Sequence, residues 1–150
     1  MRRRTVLLGA LAVGALAGAG GAWAAFQRDI AEARAATHGR SSLFQSRFGV
    51  MEYAEAGEGA PVLMVHGTGG GFDQGLAMSR PLARGWRVIA PSRFGYLRST
   101  FPAEPSSEHQ ADAFVDLLDH LGIARAPIIG GSAGALSAIA FAIRHPTRCT

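Results

Sequence analysis

The chain has 150 residues, 48% hydrophobic and 17% charged, a balance that suits one domain with a packed core and excludes a disordered polymer. All fifteen cations are arginine and the formal charge is +4, but Arg2, Arg3 and Arg4 contribute three of them, and the rest of the chain is too balanced for a nucleic-acid-binding surface. The lack of lysine excludes a G-x-x-x-x-G-K-[ST] phosphate loop, and a single cysteine, Cys149, excludes an intrachain disulfide and a cysteine-cluster metal site.

Residues 1–26 begin with the arginine run, continue through an apolar stretch from Thr5 to Ala19, and reach Ala22-Trp23-Ala24, a small-x-small triplet of the kind that ends a cleavable leader. Arg3-Arg4-Thr5-Val6-Leu7 also resembles a twin-arginine export signal. The expectation is an exported protein, either cleaved and periplasmic or held in the cytoplasmic membrane through residues 5–26. Residues 27–46 alternate charge with alanine and read as a linker or solvated stalk helix. Residues 47–150 then form the folded domain.

Phe48 to Ala56 has polar breaks suited to an exposed antiparallel strand, and Gly57-Glu58-Gly59 supplies a turn. Pro61 to Val65 is a continuous apolar run that ends at His66-Gly67-Thr68-Gly69-Gly70-Gly71, the pattern of a buried parallel strand followed by a tight loop. Trp86 to Ala90 is a second such run, leading into Pro91-Ser92-Arg93-Phe94-Gly95-Tyr96-Leu97-Arg98-Ser99. A helix is expected from Ser107, with Ser107-x-x-Gln110 as a capping box, a stripe at 111, 114, 115, 118 and 121, and Gly122 as its end. Asp112, Asp116 and Asp119 read as its solvated face.

Ala126 to Ile129 is a third apolar run, followed by Gly130-Gly131-Ser132-Ala133-Gly134 and an apolar helix pattern from Ala135 to His145. Within a strand-turn-helix, G-x-S-x-G presents the serine on a strained bend, and small neighbours let the turn close. Ser132 is therefore the candidate nucleophile. Strands alternating with helices predict an α/β fold, a mostly parallel sheet with helices on both faces and chemistry at the strand carboxyl ends. Both glycine-rich loops would open at one edge of that sheet, and Ala126 to Ile129 would leave an unprotected apolar edge.

Through the His66-Gly67 loop, the Gly95-x-x-x-Ser99 turn and the Ser132 elbow, the segment from about Phe48 to Pro146 resembles the α/β-hydrolase fold family. The resemblance implies a serine hydrolase acting on a small-molecule ester or related carbonyl compound, with no cofactor and no metal. It implies backbone N–H groups of Thr68 and Ala133 as an oxyanion hole, with Gly67, Gly69, Gly130, Gly131 and Gly134 shaping the loop and elbow. His66 braces the loop in this reading and is not the base. Phe72 and Tyr96 are candidate pocket residues. Many relatives carry Asp where Ser92 stands, which leaves the contact of that carboxylate to be accounted for.

A serine nucleophile needs a base and an acid that orients it. Along a helix, His145 would lie about 20 Å from Ser132 at roughly 1.5 Å per residue, His109 and His120 belong to the preceding helix, and His38 to the linker. The family order Ser, Asp/Glu, His implies that both partners follow position 150. The expected object is thus the amino-terminal part of such a domain, reaching through the elbow and its helix. The alternatives are a fragment inactive on its own, or an acyltransferase or C–C bond hydrolase of the same fold. A dinucleotide loop at Gly67-x-Gly69 is disfavoured, because the third glycine would fall at Phe72 and no acid follows near Ala90.

Overall fold

The computed structural model describes residues 2–82 and 84–150, with side chains for 16–81 and 84–150. The chain divides between His38 and Gly39 into two units. The first is one helix, α1 (Arg2–Thr37), which runs unbroken through Ala22-Trp23-Ala24. Among the described residues no helix is long and apolar enough to cross a membrane, and most of the expected leader stretch, Thr5 to Ala19, has side chains outside the described set. The solvated stalk expected after residue 26 is helical as far as Thr37, whose hydroxyl turns back onto the carbonyls of Ala33 and Arg34, and Arg28 pairs with Glu32 one turn on.

The expected linker ends before residue 46. Ser42–Ser46 is a strand, β1, with Phe44 and Ser46 turned inward. Phe44 stacks on His120 and meets Tyr53 edge-on, with ring centroids 5.0 and 6.0 Å away. A single large inward side chain in a five-residue segment leaves little periodicity to read, and tertiary contact decides its state.

The second unit continues with β2 (Gly49–Ala56), β3 (Ala60–Val65), α2 (Phe72–Met78), β4 (Trp86–Pro91), α3 (Ser107–His120), β5 (Ile128–Gly130) and α4 (Gly134–Arg144). The strands form one mixed sheet in the order β1-β2-β4-β3-β5. β1 and β2 are joined antiparallel, as are β2 and β4, whereas β3 runs parallel to both β4 and β5. Alternate side chains divide the core. Leu63, Val65 and Ile89 face Phe114, Leu117 and Leu118 of α3 and Phe141 of α4, while Val62, Met64, Val88 and Ala90 face the side covered by Leu76 and Phe72 of α2. β5 is an edge strand, with Ile129 exposed; Leu136, Ile139 and Ile143 of α4 are exposed too.

β2 is an interior strand, not the exposed one its polar breaks suggest, and Met51 to Ala54 are buried. The break at Glu52 is an internal polar cluster. Its carboxylate is 2% exposed, and it accepts from Ser41 Oγ at 2.6 Å, Arg98 Nε at 2.7 Å, the Arg98 N–H at 3.1 Å and Ser92 Oγ at 3.4 Å. The carboxylate that Ser92 lacks is thereby delivered from the neighbouring strand. Ser99 Oγ ties the same region together, accepting from the Glu52 N–H and donating to the Ser92 carbonyl.

α3 is capped one residue earlier than expected. Ser106 Oγ accepts from the His109 N–H, and Gln110, freed from any capping box, turns its Oε1 to the Phe94 N–H at 2.7 Å. Gly122, at φ +67°, ends the helix where the sequence suggests. Two of its three aspartates leave the solvated face expected of them, while Asp119 stays exposed. Asp112 is buried and holds Arg144 Nε and His145 Nε2, each at 2.7 Å; Asp116 pairs with Arg47 and Asp119 with Arg148.

Removing the cation from an enclosed ion pair leaves the anion without its strongest partner. Arg98→Met is therefore expected to lower unfolding free energy by about 2–3 kcal/mol, less than for a fully enclosed pair because the arginine side chain is half exposed. Urea denaturation followed by circular dichroism measures this, and an unchanged midpoint would show that the cluster does not hold β2 to the loop after β4.

Candidate active site

Two loops leave adjacent parallel strands at the same edge of the sheet. Val65 lies opposite Gly130, and the Gly131 N–H donates to the Val65 carbonyl at 2.9 Å, carrying the ladder one step into the turn. Between β5 and α4 the chain reverses direction on Ser132, which adopts φ +49°. That left-handed conformation is uncommon for a residue with a Cβ, so the bend carries strain. The side chain is nonetheless exposed.

The turn closes because its neighbours have no side chain. A Cβ on Gly134 would collide with the His66 carbonyl oxygen, a backbone atom with no room to step aside, whereas one on Gly131 would meet the flexible end of Met78. Across the gap, a Cβ on Gly67 would come within 3.2 Å of Ser132 Cβ. The loop after β3 and the bend after β5 are thus in contact through Gly67 and Ser132. Gly130 meets the start of α4, Gly69 meets the Gln74 side chain, and Thr68 is exposed between them.

Backbone N–H groups in this turn divide into used and unused. Gly131, Gly134 and Ala135 donate to carbonyls of Val65, Gly131 and Ser132. Among the described residues, the N–H groups of Thr68 and Ala133 donate to no protein acceptor, and neither do those of Gly67, Gly69, Gly70 and Ser132. Ala133 is also the residue before the first turn of α4, where the unpaired N–H groups of a helix and its dipole favour negative charge. Unused donors in two loops that meet at an exposed hydroxyl are the kind of group that can stabilise an anion.

His66 is fully buried and both ring nitrogens are engaged. Nε2 accepts from the Arg93 N–H at 2.9 Å, so Nδ1 carries the proton and donates to the Gly67 carbonyl at 2.7 Å. Burial pushes its pKa down to about 4, helped by the nearby Arg93 charge and opposed by the bond to Gly67. The ring is neutral at pH 7 and fixes the Gly67 loop to the segment after β4. Arg93 reinforces this from the other side, donating from Nη2 to the same Gly67 carbonyl at 2.8 Å.

The remaining histidines of the folded unit have other partners. His109 Nδ1 bonds the Glu104 carbonyl, His120 packs on Phe44 and reaches Tyr53, and His145 holds Asp112. Of the two candidate pocket residues, Tyr96 lines a cavity of about 370 Å³ beside the loop. Phe72 does not. It is 1% exposed and packs with Ala54 and Ala90 beneath α2, because the first turn of α2 drops onto the sheet and takes the ring with it. Gln74, Met78 and Arg93 reach the two loops without having been singled out from sequence. For Gln74 and Met78 the available signal was position alone, in a short helix directly after the His-Gly loop.

The buried imidazole has a consequence for stability. An unfolded chain takes up a proton on this histidine near pH 6.5, whereas the folded one resists until about 4, so the contribution is complete above 6.5 and is lost as the pH falls toward 4. The loss is on the order of 3 kcal/mol across that window, and the depressed carboxyl of Asp112, held chiefly by Arg144, adds its own loss only at lower pH. Urea unfolding at pH 7.0, 5.5 and 4.5 should show His66→Asn losing much less than the unaltered chain over this range. Parallel losses would assign the dependence to other groups.

Comparison with known proteins follows the same lines. Residues 60–150 match the family model described as alpha/beta hydrolase fold. The chain is 39% identical over 102 residues to a 2-hydroxymuconate semialdehyde hydrolase of Pseudomonas sp. (strain CF600), covering 63% of this chain and 35% of the relative. It is 36% identical over 101 residues to Lipase 1 of Psychrobacter immobilis, covering 64% and 32%. Among solved structures, the N-acyl homoserine lactonase AidH complexed with N-butanoyl homoserine superposes with a TM-score of 0.61 at 34% identity, over 71% of this chain and 41% of that one. The chain thus spans roughly a third to two fifths of the length of these relatives. With its parallel strands, its glycine-closed bend at Ser132 and the family match over most of the folded unit, the chain belongs to the α/β-hydrolase fold family.

Proposed function

We propose that the chain carries the nucleophile and oxyanion-hole part of a serine hydrolase. Ser132 Oγ attacks the carbonyl carbon of an ester, lactone or related substrate, and the carbonyl oxygen becomes an oxyanion received by the N–H groups of Thr68 and Ala133. Collapse expels the leaving group and leaves an acyl-serine, which water cleaves to the acid and regenerated hydroxyl. The observation that supports this reading is the exposed, strained Ser132 set against Gly67, with unused amides in both loops. The relatives named for a semialdehyde, a lipid and a homoserine lactone support a carbonyl substrate, and C–C bond cleavage remains within the same chemistry.

The proton on Ser132 needs an acceptor, and every histidine of the folded unit has a structural partner. This supports the second reading, a chain inactive on its own whose base and orienting acid come from outside these residues. We propose export for the same protein on the strength of Arg2 to Arg4 and the apolar stretch behind them; cell fractionation that finds it solely in the cytoplasm would remove that proposal.

A preformed oxyanion site without its base should respond to a base supplied in solution. The chain is expected to react slowly with a fluorophosphonate, with the adduct on the Ser132 peptide by mass spectrometry, and imidazole at tens of millimolar, roughly its effective range as a general base near neutral pH, should accelerate it. Ser132→Ala should give no adduct. A folded chain that never labels at Ser132, with or without imidazole, would overturn the assignment.

A further inference from the structure

The loop after β4 and the start of α3 border the open cavity of about 370 Å³ that Tyr96 lines, together with Arg93, Phe94, Phe101, Gln110 and Ser137. Two of its lining side chains carry buried nitrogen atoms with no hydrogen-bond partner, Gln110 Nε2 and Arg93 Nε. A buried donor left without an acceptor is costly, so two on residues that line one cavity need a reason.

The orientation of Gln110 is set by its neighbour. Its Oε1 accepts from the Phe94 N–H at 2.7 Å, which assigns the amide and leaves the Nε2 end with two free N–H groups. The side chain is 3% exposed, so bulk water does not serve them. Arg93 supplies charge. Arg47, Arg87, Arg98, Arg144 and Arg148 each pair with a carboxylate, and Arg34, Arg40, Arg80, Arg84 and Arg125 are exposed to solvent. Among the described residues, Arg93 is the half-buried arginine with no acidic partner. Its guanidinium sits 4.9 Å from the centre of the Tyr96 ring, and Nη2 is committed to Gly67 and Tyr96 oxygens, which holds the group in place.

We propose that this cavity is a binding site for a monocarboxylate with an apolar body. Arg93 and the Gln110 amide receive the carboxylate, and Phe94, Tyr96 and Phe101 enclose the hydrocarbon part. One cation and a neutral amide match one negative charge, and no second cation lines the cavity among the described residues, which disfavours a phosphate dianion. Glu108, the acid at this end of α3, is exposed and does not line it. The first-turn donors of α3 are partly served by Ser106 and are not needed. Because Arg93 also touches the Gly67 carbonyl, an anion here is felt at the loop facing Ser132, but the inference stands whether or not Ser132 is a nucleophile.

Hexanoate and its neutral counterpart hexanamide separate charge recognition from apolar contact. In a 15N NMR titration of the full chain at pH 7, hexanoate is expected to shift the Gln110 side-chain amide and the Phe94 N–H, and to bind roughly ten- to hundredfold more tightly than hexanamide, as a charge-assisted bond predicts. Arg93→Gln should abolish the preference. Equal affinities, a preference that survives Arg93→Gln, or shifts centred on the Thr68 and Ala133 amides would each overturn the site. Should the variant fail to fold, the two ligands and the map of shifts on the unaltered chain still decide.

Discussion

The organising constraint is how closely two backbones pass where β3 and β5 end. With Val65 opposite Gly130, the loops that continue from them have no room to diverge, and the Gly134 Cα packs under the His66 carbonyl at a separation no side chain tolerates. Close approach of this kind is a stronger demand for glycine than a turn conformation alone, since relief would need movement of a core strand. It also explains why a serine accepts φ +49° at 132: the chain must turn within one residue to start α4 on the other side of that contact. The strain is held by packing on both sides, and it leaves the hydroxyl outside.

The electrostatics around the loops follow from burial. An imidazole with one nitrogen accepting a main-chain N–H and the other donating to a carbonyl gains nothing by protonation and would lose solvation, so His66 works as a neutral strut between the loop after β3 and the segment after β4. Glu52 plays the matching role lower in the sheet, where Arg98, Ser41 and Ser92 surround a carboxylate on an interior strand. The loop after β4 is therefore fixed twice, to β2 by an ion pair and to the Gly67 loop by His66 and Arg93. A segment of irregular backbone held this firmly can leave Arg93 Nε, and the Gln110 Nε2 of the neighbouring α3, without a protein acceptor.

What was legible in the chain depended on whether its cause was local. The apolar runs at 61–65, before His66-Gly67, and at 86–90, broken only at Arg87 and followed by Pro91, carry their own explanation as buried strands, and the elbow is written in five consecutive residues. The stop at Gly122 is equally local. By contrast, β1 exists because Phe44 finds His120 and Tyr53, and β2 is interior because four partners from distant positions neutralise the polar groups of Glu52. Phe72 looked like a loop residue but became the first residue of α2, whose entry angle buries it. Capping by Ser106 instead of Ser107 is a one-residue difference with a distant cause, since Gln110 is drawn away by the Phe94 N–H.

The aspartates of α3 make the same point about charge. At positions 112, 116 and 119 they fall on a helix with a clear apolar stripe, and a helix in isolation would turn them to water. In the folded unit, α4, the segment after it and the turn before β2 bring Arg144, Arg148 and Arg47 onto that face. Arginine suits this because its planar fork can hold a carboxylate with two bonds while its stem covers apolar surface, and a chain without lysine uses it at every such junction. Ion pairs at partly exposed sites contribute little each, so these contacts orient α3 against its neighbours more than they stabilise it. That orientation sets where Gln110 points, and it links a pattern of surface charge to the cavity-lining amide whose Nε2 stands without a partner.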